Sequence, residues 1–266
     1  METVSTTASS TSLSGAVLTV PGNQIIAVTG LSNREFLERY ARPGRVGLSG
    51  GVTLVDRAIA RAQRHVDPEQ LCGGWSHSFL FQGTRLDGHH WVIESDLQIN
   101  RKHIRLGAQE NRVAKYFDQN LYSTMAVLDF SLTDEQISTL LQHGLELVAS
   151  RARYSLRELV GTLIALRHPE LRGRENVLAR ERSMYCSAFV QYLFLKVGID
   201  FAPDVDTKNT TPADISRTLV PHVTYLLQRD LVRTAVQSAG VRLRRRVRAR
   251  LKHLKKKRSG DPDGQE

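Results

Sequence analysis

Trp75-Ser76-His77-Ser78-Phe79-Leu80-Phe81, followed after Thr84-Arg85-Leu86-Asp87-Gly88 by Trp91-Val92-Ile93-Glu94, reads as a β-hairpin with a base on one strand and an acid on the other. Both flanks are rich in β-branched and aromatic residues, and Asp-Gly between such runs is a strong hairpin signal. The strands span residues 75–82 and 89–95. The position of the turn puts His77 and Glu94 near the open end of the hairpin.

The next informative stretch lies a hundred residues on, in Tyr185-Cys186-Ser187-Ala188-Phe189-Val190. Cys186, Phe189, Val190, Leu193, Phe194 and Val197 recur at helical spacing, which predicts a helix over 184–197 that Gly198 stops. Cys186 then sits in the first turn, where unpaired backbone N–H groups and the helix dipole favour an anion. A thiol attacks a carbonyl only as thiolate and needs a base near neutral pH. His77 on a facing strand can take that proton and return it to a leaving group. Glu94, across the hairpin, can hold the imidazole ring and its tautomer. Taken singly, each residue has a plainer reading: Cys186 as a core cysteine, His77 as a packed histidine, Glu94 as a strand-end charge. Together, in the order His, Glu, Cys, they read as base, orienting acid and nucleophile. The backbone N–H of Cys186 is the expected oxyanion donor.

Outward from these segments the pattern is α+β. Asn23 to Thr29 carries a short strand, Ile25-Ile26-Ala27-Val28. Ser32 or Asn33 caps a short helix with Phe36 and Leu37, closed by Pro43-Gly44. Residues 45–49 form another strand. After Gly50-Gly51 comes a helix with Val52, Val55, Ile59 and Val66 on one side. Residues 125–130 form a strand, and Thr133 with Gln136 makes a capping box with Leu132 and Ile137 as its hydrophobic staple. Ile137, Leu140, Leu141, Leu145 and Val148 follow as an apolar stripe. A helical segment covers 156–166, Thr211-Pro212-Ala213-Asp214 opens a short helix, and 223–227 is a last strand. The expected architecture is an antiparallel sheet packed against helices. Residues 1–22 are expected to be disordered, 23–230 to form the folded domain, and 231–266 to form a basic helix and tail.

The ordered set of motifs resembles the NlpC-type permuted papain-like superfamily, with its YiiX-like and lecithin:retinol acyltransferase-like branches. Gly44-Arg45-Val46-Gly47-Leu48-Ser49 resembles the opening strand, with Arg45 where Asp is common. Trp75-Ser76-His77 resembles the histidine motif and Val92-Ile93-Glu94 the third-residue motif. Tyr154-Ser155 resembles the Tyr-containing segment before the nucleophile helix, Tyr185-Cys186-Ser187 the nucleophile, and Thr211-Pro212-Ala213-Asp214 the Thr-Pro motif after it. The resemblance covers residues 40–228. It implies a circularly permuted papain-like fold and cleavage or transfer at an amide or ester carbonyl through an acyl-thioenzyme. Peptidase, amidase, acyl hydrolase and acyltransferase all remain open, on a peptide or acyl substrate.

The chain has 266 residues, 41% of them hydrophobic, enough for one large core. With only Cys72 and Cys186, a disulfide framework is excluded and reduced thiols are expected. No apolar run approaches the roughly 20 residues of a membrane span. The N-terminus lacks a basic region before its short apolar stretch, so a cytoplasmic protein is expected, with peripheral membrane contact open. No cofactor is expected. Cys72, His77, His89, His90 and Cys186 match no zinc spacing, so no metal is expected either.

Lys and Arg number 37 against 27 acids, but residues 231–260 hold 12 of the basic residues and no acid. The preceding 230 residues are nearly neutral. Val232, Val236, Ala239, Leu243, Val247, Leu251 and Leu254 recur at three- and four-residue spacing within the basic run, so 231–258 is a candidate amphipathic helix. An anionic membrane surface suits the combination of stripe and charge better than nucleic acid, which needs charge alone. The rival to a cysteine hydrolase is therefore a catalytically silent scaffold of the same fold that works through this tail.

Overall fold

A computed structural model of the chain describes residues 17–20, 23–65, 74–99, 104–150, 171–173 and 185–229. The chain divides into two compact units, Met1–Leu227 and Gln228–Glu266, and the fold below is that of the first. Cys72, Val66, Tyr154-Ser155, the 156–166 helix and the 231–258 helix lie outside the described residues.

The architecture is α+β. Eight strands form one sheet: β1 (Val17–Val20), β2 (Asn23–Val28), β3 (Val46–Gly51), β4 (His77–Thr84), β5 (His90–Ile99), β6 (Ile104–Arg112), β7 (Tyr122–Asp129) and β8 (Val223–Leu227). Their order is β1-β2-β8-β7-β3-β4-β5-β6. The helices are α1 (Asn33–Tyr40), α2 (Leu54–Ala62), α3 (Asp134–Ala149), α4 (Cys186–Leu195) and α5 (Pro212–Ser216). Capping boxes at Ser32, Thr53, Thr133 and Thr211 start four of them.

Four features differ from the sequence reading. The sheet is not wholly antiparallel, because β8 pairs parallel with β2 and antiparallel with β7. Turn chemistry reports neighbours in sequence, and β8 arrives beside β2 from the far end of the domain. The Asn23 amide fixes that arrival by donating to the Thr218 carbonyl at 2.6 Å and accepting from the His222 N–H at 3.2 Å. Second, Val17–Val20 lies in the segment expected to be disordered but pairs antiparallel with β2, which gives its β-branched residues ladder partners. Third, β6 is a strand that the sequence reading lacks; it pairs with β5 over nine residues. Fourth, α2 buries no side chain of its own, so its apolar stripe is not core.

Strand alternation builds two cores, one per sheet face. Val46, Leu48, Leu80, Ile93, Ala126 and Leu128 pack against Phe189, Val190, Leu193 and Phe194 of α4 and Leu140 of α3. On the other face, Phe79, Phe81, Val92, Met125 and Val127 pack against Phe36 and Leu37 of α1 and against Tyr116. A strand covered on both faces must be apolar on both, as the middle of β4 is at Phe79-Leu80-Phe81.

Candidate active site

His77 opens β4, and Cys186 is the first residue of α4. Pairing between β4 and β5 runs from Thr84–His90 only as far as Leu80–Ile93. Beyond Leu80 the two strands no longer exchange ladder bonds, and α4 brings its first turn to this opening. The Cys186 sulfur lies close enough to the His77 side chain and to the Ser78 backbone N–H to be stabilised by both as a thiolate. No side chain caps α4, so its first-turn donors are left for an anion at Cys186.

Glu94 completes the group. His77 Nε2 lies 2.5 Å from Glu94 Oε2, leaving Nδ1 as the nitrogen available to the thiol. The Glu94 side chain has no exposed surface. Its charge is met by four donors: His77, the Tyr116 hydroxyl, Asn111 Nδ2 at 2.7 Å and Lys115 Nζ at 2.8 Å. Lys115 also reaches Asp96 Oδ2 at 2.5 Å. The Tyr116 ring stacks on Phe79 with centroids 4.2 Å apart, and His77 lies 6.3 Å from the same ring. Phe79 in turn covers Gly47, where a Cβ would fall 2.1 Å from the ring. Glycine at position 47 thus allows the aromatic stack that walls the imidazole.

The electrostatics follow from this geometry. Burial works against ionisation of Glu94, but the Lys115 charge and the His77 bond outweigh it and hold the carboxyl far below the usual carboxylate range. Burial pushes the His77 imidazolium down. The charge and hydrogen bond of Cys186, then those of Glu94, outweigh that and hold it well above its ordinary value. Burial pushes the Cys186 thiol up, while His77 and the Ser78 N–H pull it below its ordinary value. Tyr116 is raised by burial and by the Glu94 and Asp96 charges, so it stays a donor. The arrangement favours a thiolate–imidazolium pair backed by a carboxylate held in its ionised form.

The structure therefore brings together His77, Glu94 and Cys186. His89 and His90 are elsewhere, at the turn end of the β4–β5 hairpin. Arg45 ion-pairs with Asp129 at 2.5 Å. Among the described residues no three His, Cys, Asp or Glu side chains form a metal-binding group, and no helix is long and apolar enough to cross a membrane. Sequence reasoning missed Asn111, Lys115, Tyr116 and Asp96. The signal was the alternation Leu97, Ile99 and Ile104, Leu106, Ala108, which marks a hairpin leading to Asn111 and the turn Val113–Tyr116.

No family model matches the sequence, and no curated protein matches it. Among solved structures, the fold is similar to that of the metalloprotein yiiX from Escherichia coli O157:H7, at 10% identity and a TM-score of 0.43, over 72% of this chain and 99% of that one.

Proposed function

We propose that the chain is a cysteine hydrolase of permuted papain-like fold that cleaves or transfers an acyl group at an amide or ester carbonyl. The observation that carries this reading is the juxtaposition of Cys186, the first residue of a helix, with His77, whose imidazole is held from behind by Glu94. The Cys186 thiolate attacks the carbonyl carbon, forming a C–S bond as the C=O electron pair moves to oxygen. The Cys186 backbone N–H is the oxyanion donor. The His77 imidazolium gives its proton to the leaving nitrogen or oxygen as that bond breaks, which leaves an acyl-thioenzyme. His77 then takes a proton from water, which adds to the thioester, and the departing sulfur is again a thiolate. His77 and Cys186 are the catalytic residues; Glu94 is a positioning residue.

The test is a panel of small amide, ester and thioester substrates with the full chain and Cys186→Ala. Turnover by the parent that is lost in Cys186→Ala is expected. Equal rates for the two proteins exclude the mechanism.

One observation favours the silent scaffold: Cys186 is only 5% exposed. A chloroacetamide probe separates the readings. Rapid labelling of Cys186 that His77→Ala suppresses supports the hydrolase, and labelling no faster than in an unfolded peptide supports the scaffold. In either case the 231–258 segment suits an anionic membrane surface ahead of nucleic acid, and loss of salt-sensitive vesicle binding on deleting 231–266 is its test.

A further inference from the structure

Helix α2 leaves the start of its apolar stripe exposed. Leu54, Val55, Ala58, Ile59 and Ala62 share one face by their spacing. The start of that face points outward: Leu54 is 85% exposed, Val55 52% and Ala58 is exposed, while Ile59 and Ala62 are half-buried and no residue of the helix is fully buried. The half-buried residues of the helix are Asp56, Ile59, Ala60 and Ala62. Asp56 is spent in the Thr53 capping box and lies against Gly51, and Ala60 lies against Gly74. Gln63, just past the helix, donates to the Trp75 carbonyl at 2.8 Å and accepts from the Ala213 N–H at 2.8 Å. It thereby ties the helix to the segment leading into His77 and to the start of α5. Leu121, 48% exposed, extends the apolar surface, since its carbonyl accepts from the Val52 N–H.

Exposed Arg57, Arg61 and Arg64 flank the stripe along one side. The helix's one acid, Asp56, is engaged in the Thr53 capping box, and the three arginines outnumber it. Contiguous exposed aliphatic residues on a soluble body mark a contact surface. Aromatic anchors, which dominate protein–protein contacts, are missing from this helix. Projecting aliphatics with arginines at their flank are the pattern of a helix that lies in a lipid interface. From this juxtaposition we infer that α2 is a docking helix for an anionic lipid bilayer: Leu54, Val55 and Leu121 enter the headgroup region, and Arg57, Arg61 and Arg64 meet lipid phosphates. The inference does not depend on whether Cys186 reacts, and it is separate from any contribution of 231–258.

The test uses the full chain with phosphatidylcholine vesicles, with and without phosphatidylserine. Val55→Trp supplies a local reporter. Brominated lipid should quench its added fluorescence in the phosphatidylserine vesicles, whatever the 231–258 segment does. Leu54→Asp combined with Val55→Asp should weaken partitioning by about tenfold or more. If circular dichroism shows that this variant misfolds, Arg57→Gln with Arg61→Gln and Arg64→Gln replaces it and should remove the salt-sensitive part of binding. No excess quenching overturns the inference, as does unchanged partitioning of a folded variant. A concentration-dependent dimer that Leu54→Asp abolishes without any effect on vesicles assigns the stripe to a second copy and also overturns it.

Discussion

His77 and Glu94 face each other because of a single extra residue in β4. Near the turn, Thr84 pairs with His90 and Gly83 with Trp91; past the irregularity between Phe81 and Gly83, Phe81 pairs with Val92 and Leu80 with Ile93. Continued inward, the second register sets Phe79 opposite Glu94, with His77 one diagonal step away on the same face. The first register, continued without the bulge, would set Glu94 opposite Leu80, on the α4 face. A one-residue slip exchanges the two faces of a strand, so the bulge decides whether the carboxylate meets the imidazole.

Gly83 holds this bulge at φ +108, and a Cβ there would fall 2.9 Å from Pro43 Cγ. Gly83→Ala should therefore cost about 1–3 kcal/mol, from backbone strain and the Pro43 contact. Urea titration measures the loss. Cys186 labelling in the surviving folded fraction should slow as well, because the strain falls on the register that aligns His77. A variant with parental stability and labelling would show that the bulge does not need glycine.

The Cys186–His77 pair predicts a distinctive pH profile. The thiol is held below its ordinary value and the imidazolium well above its own. Alkylation should thus stay fast below the pH at which a free cysteine slows, and should change again only where His77 loses its proton. In His77→Ala the burial that pushes the thiol up is no longer opposed. Labelling at neutral pH should then fall by about tenfold or more, with its rise shifted to alkaline pH. A parent profile that coincides with that of a free thiol would sink the ion-pair assignment.

Lys115 is the largest charge holding Glu94 ionised. Lys115→Met leaves a buried carboxylate short of a partner and should destabilise the fold by about 1–3 kcal/mol. A carboxyl held below its unfolded value contributes stability that is complete above the ordinary carboxylate range and lost as pH falls through the folded value. Weakening that hold moves the acid-unfolding midpoint to higher pH. His77 acts in the opposite sense, with stability complete below the ordinary imidazole value and lost as pH rises through its raised folded value. Lys115→Met should therefore narrow the stable window mainly from the acid side. Lys115→Arg, which keeps the charge, should recover part of it. An unshifted acid midpoint in Lys115→Met would show that Lys115 does not hold Glu94.

The parts legible in the sequence were those with local chemistry. Thr133 and Gln136 announced α3, Asp87-Gly88 announced the β4–β5 turn, and the apolar spacing after Cys186 announced α4. The bulge was not legible, since Gln82 and Gly83 look like ordinary strand-end residues until their partners are known. Nor was the parallel β2–β8 pair, whose only local trace is Asn23, a residue that would read as a turn. The support behind Glu94 is hidden with β6, because Asn111, Lys115 and Tyr116 belong to a strand and turn with no strong local signal in the sequence. Proximity of Cys186 to His77 was inferable from chain order and chemistry, whereas the charge network that tunes them needed coordinates.

Gln109 carries the last prediction. It pairs directly with Glu94 across β5 and β6 and is 8% exposed, yet neither atom of its carboxamide has a partner. A buried amide without hydrogen bonds costs about 1–3 kcal/mol relative to a paired one. Methionine has nearly the same length and no such demand. Gln109→Met should therefore leave stability unchanged or raise it by about 1–2 kcal/mol, read by thermal and urea unfolding. Cys186 labelling should be unaffected, because Glu94 already has four donors and loses none of them. If Gln109→Met instead destabilises the protein or slows labelling, the carboxamide is bonded in solution, through water or a ligand, and Glu94 has a fifth neighbour that matters.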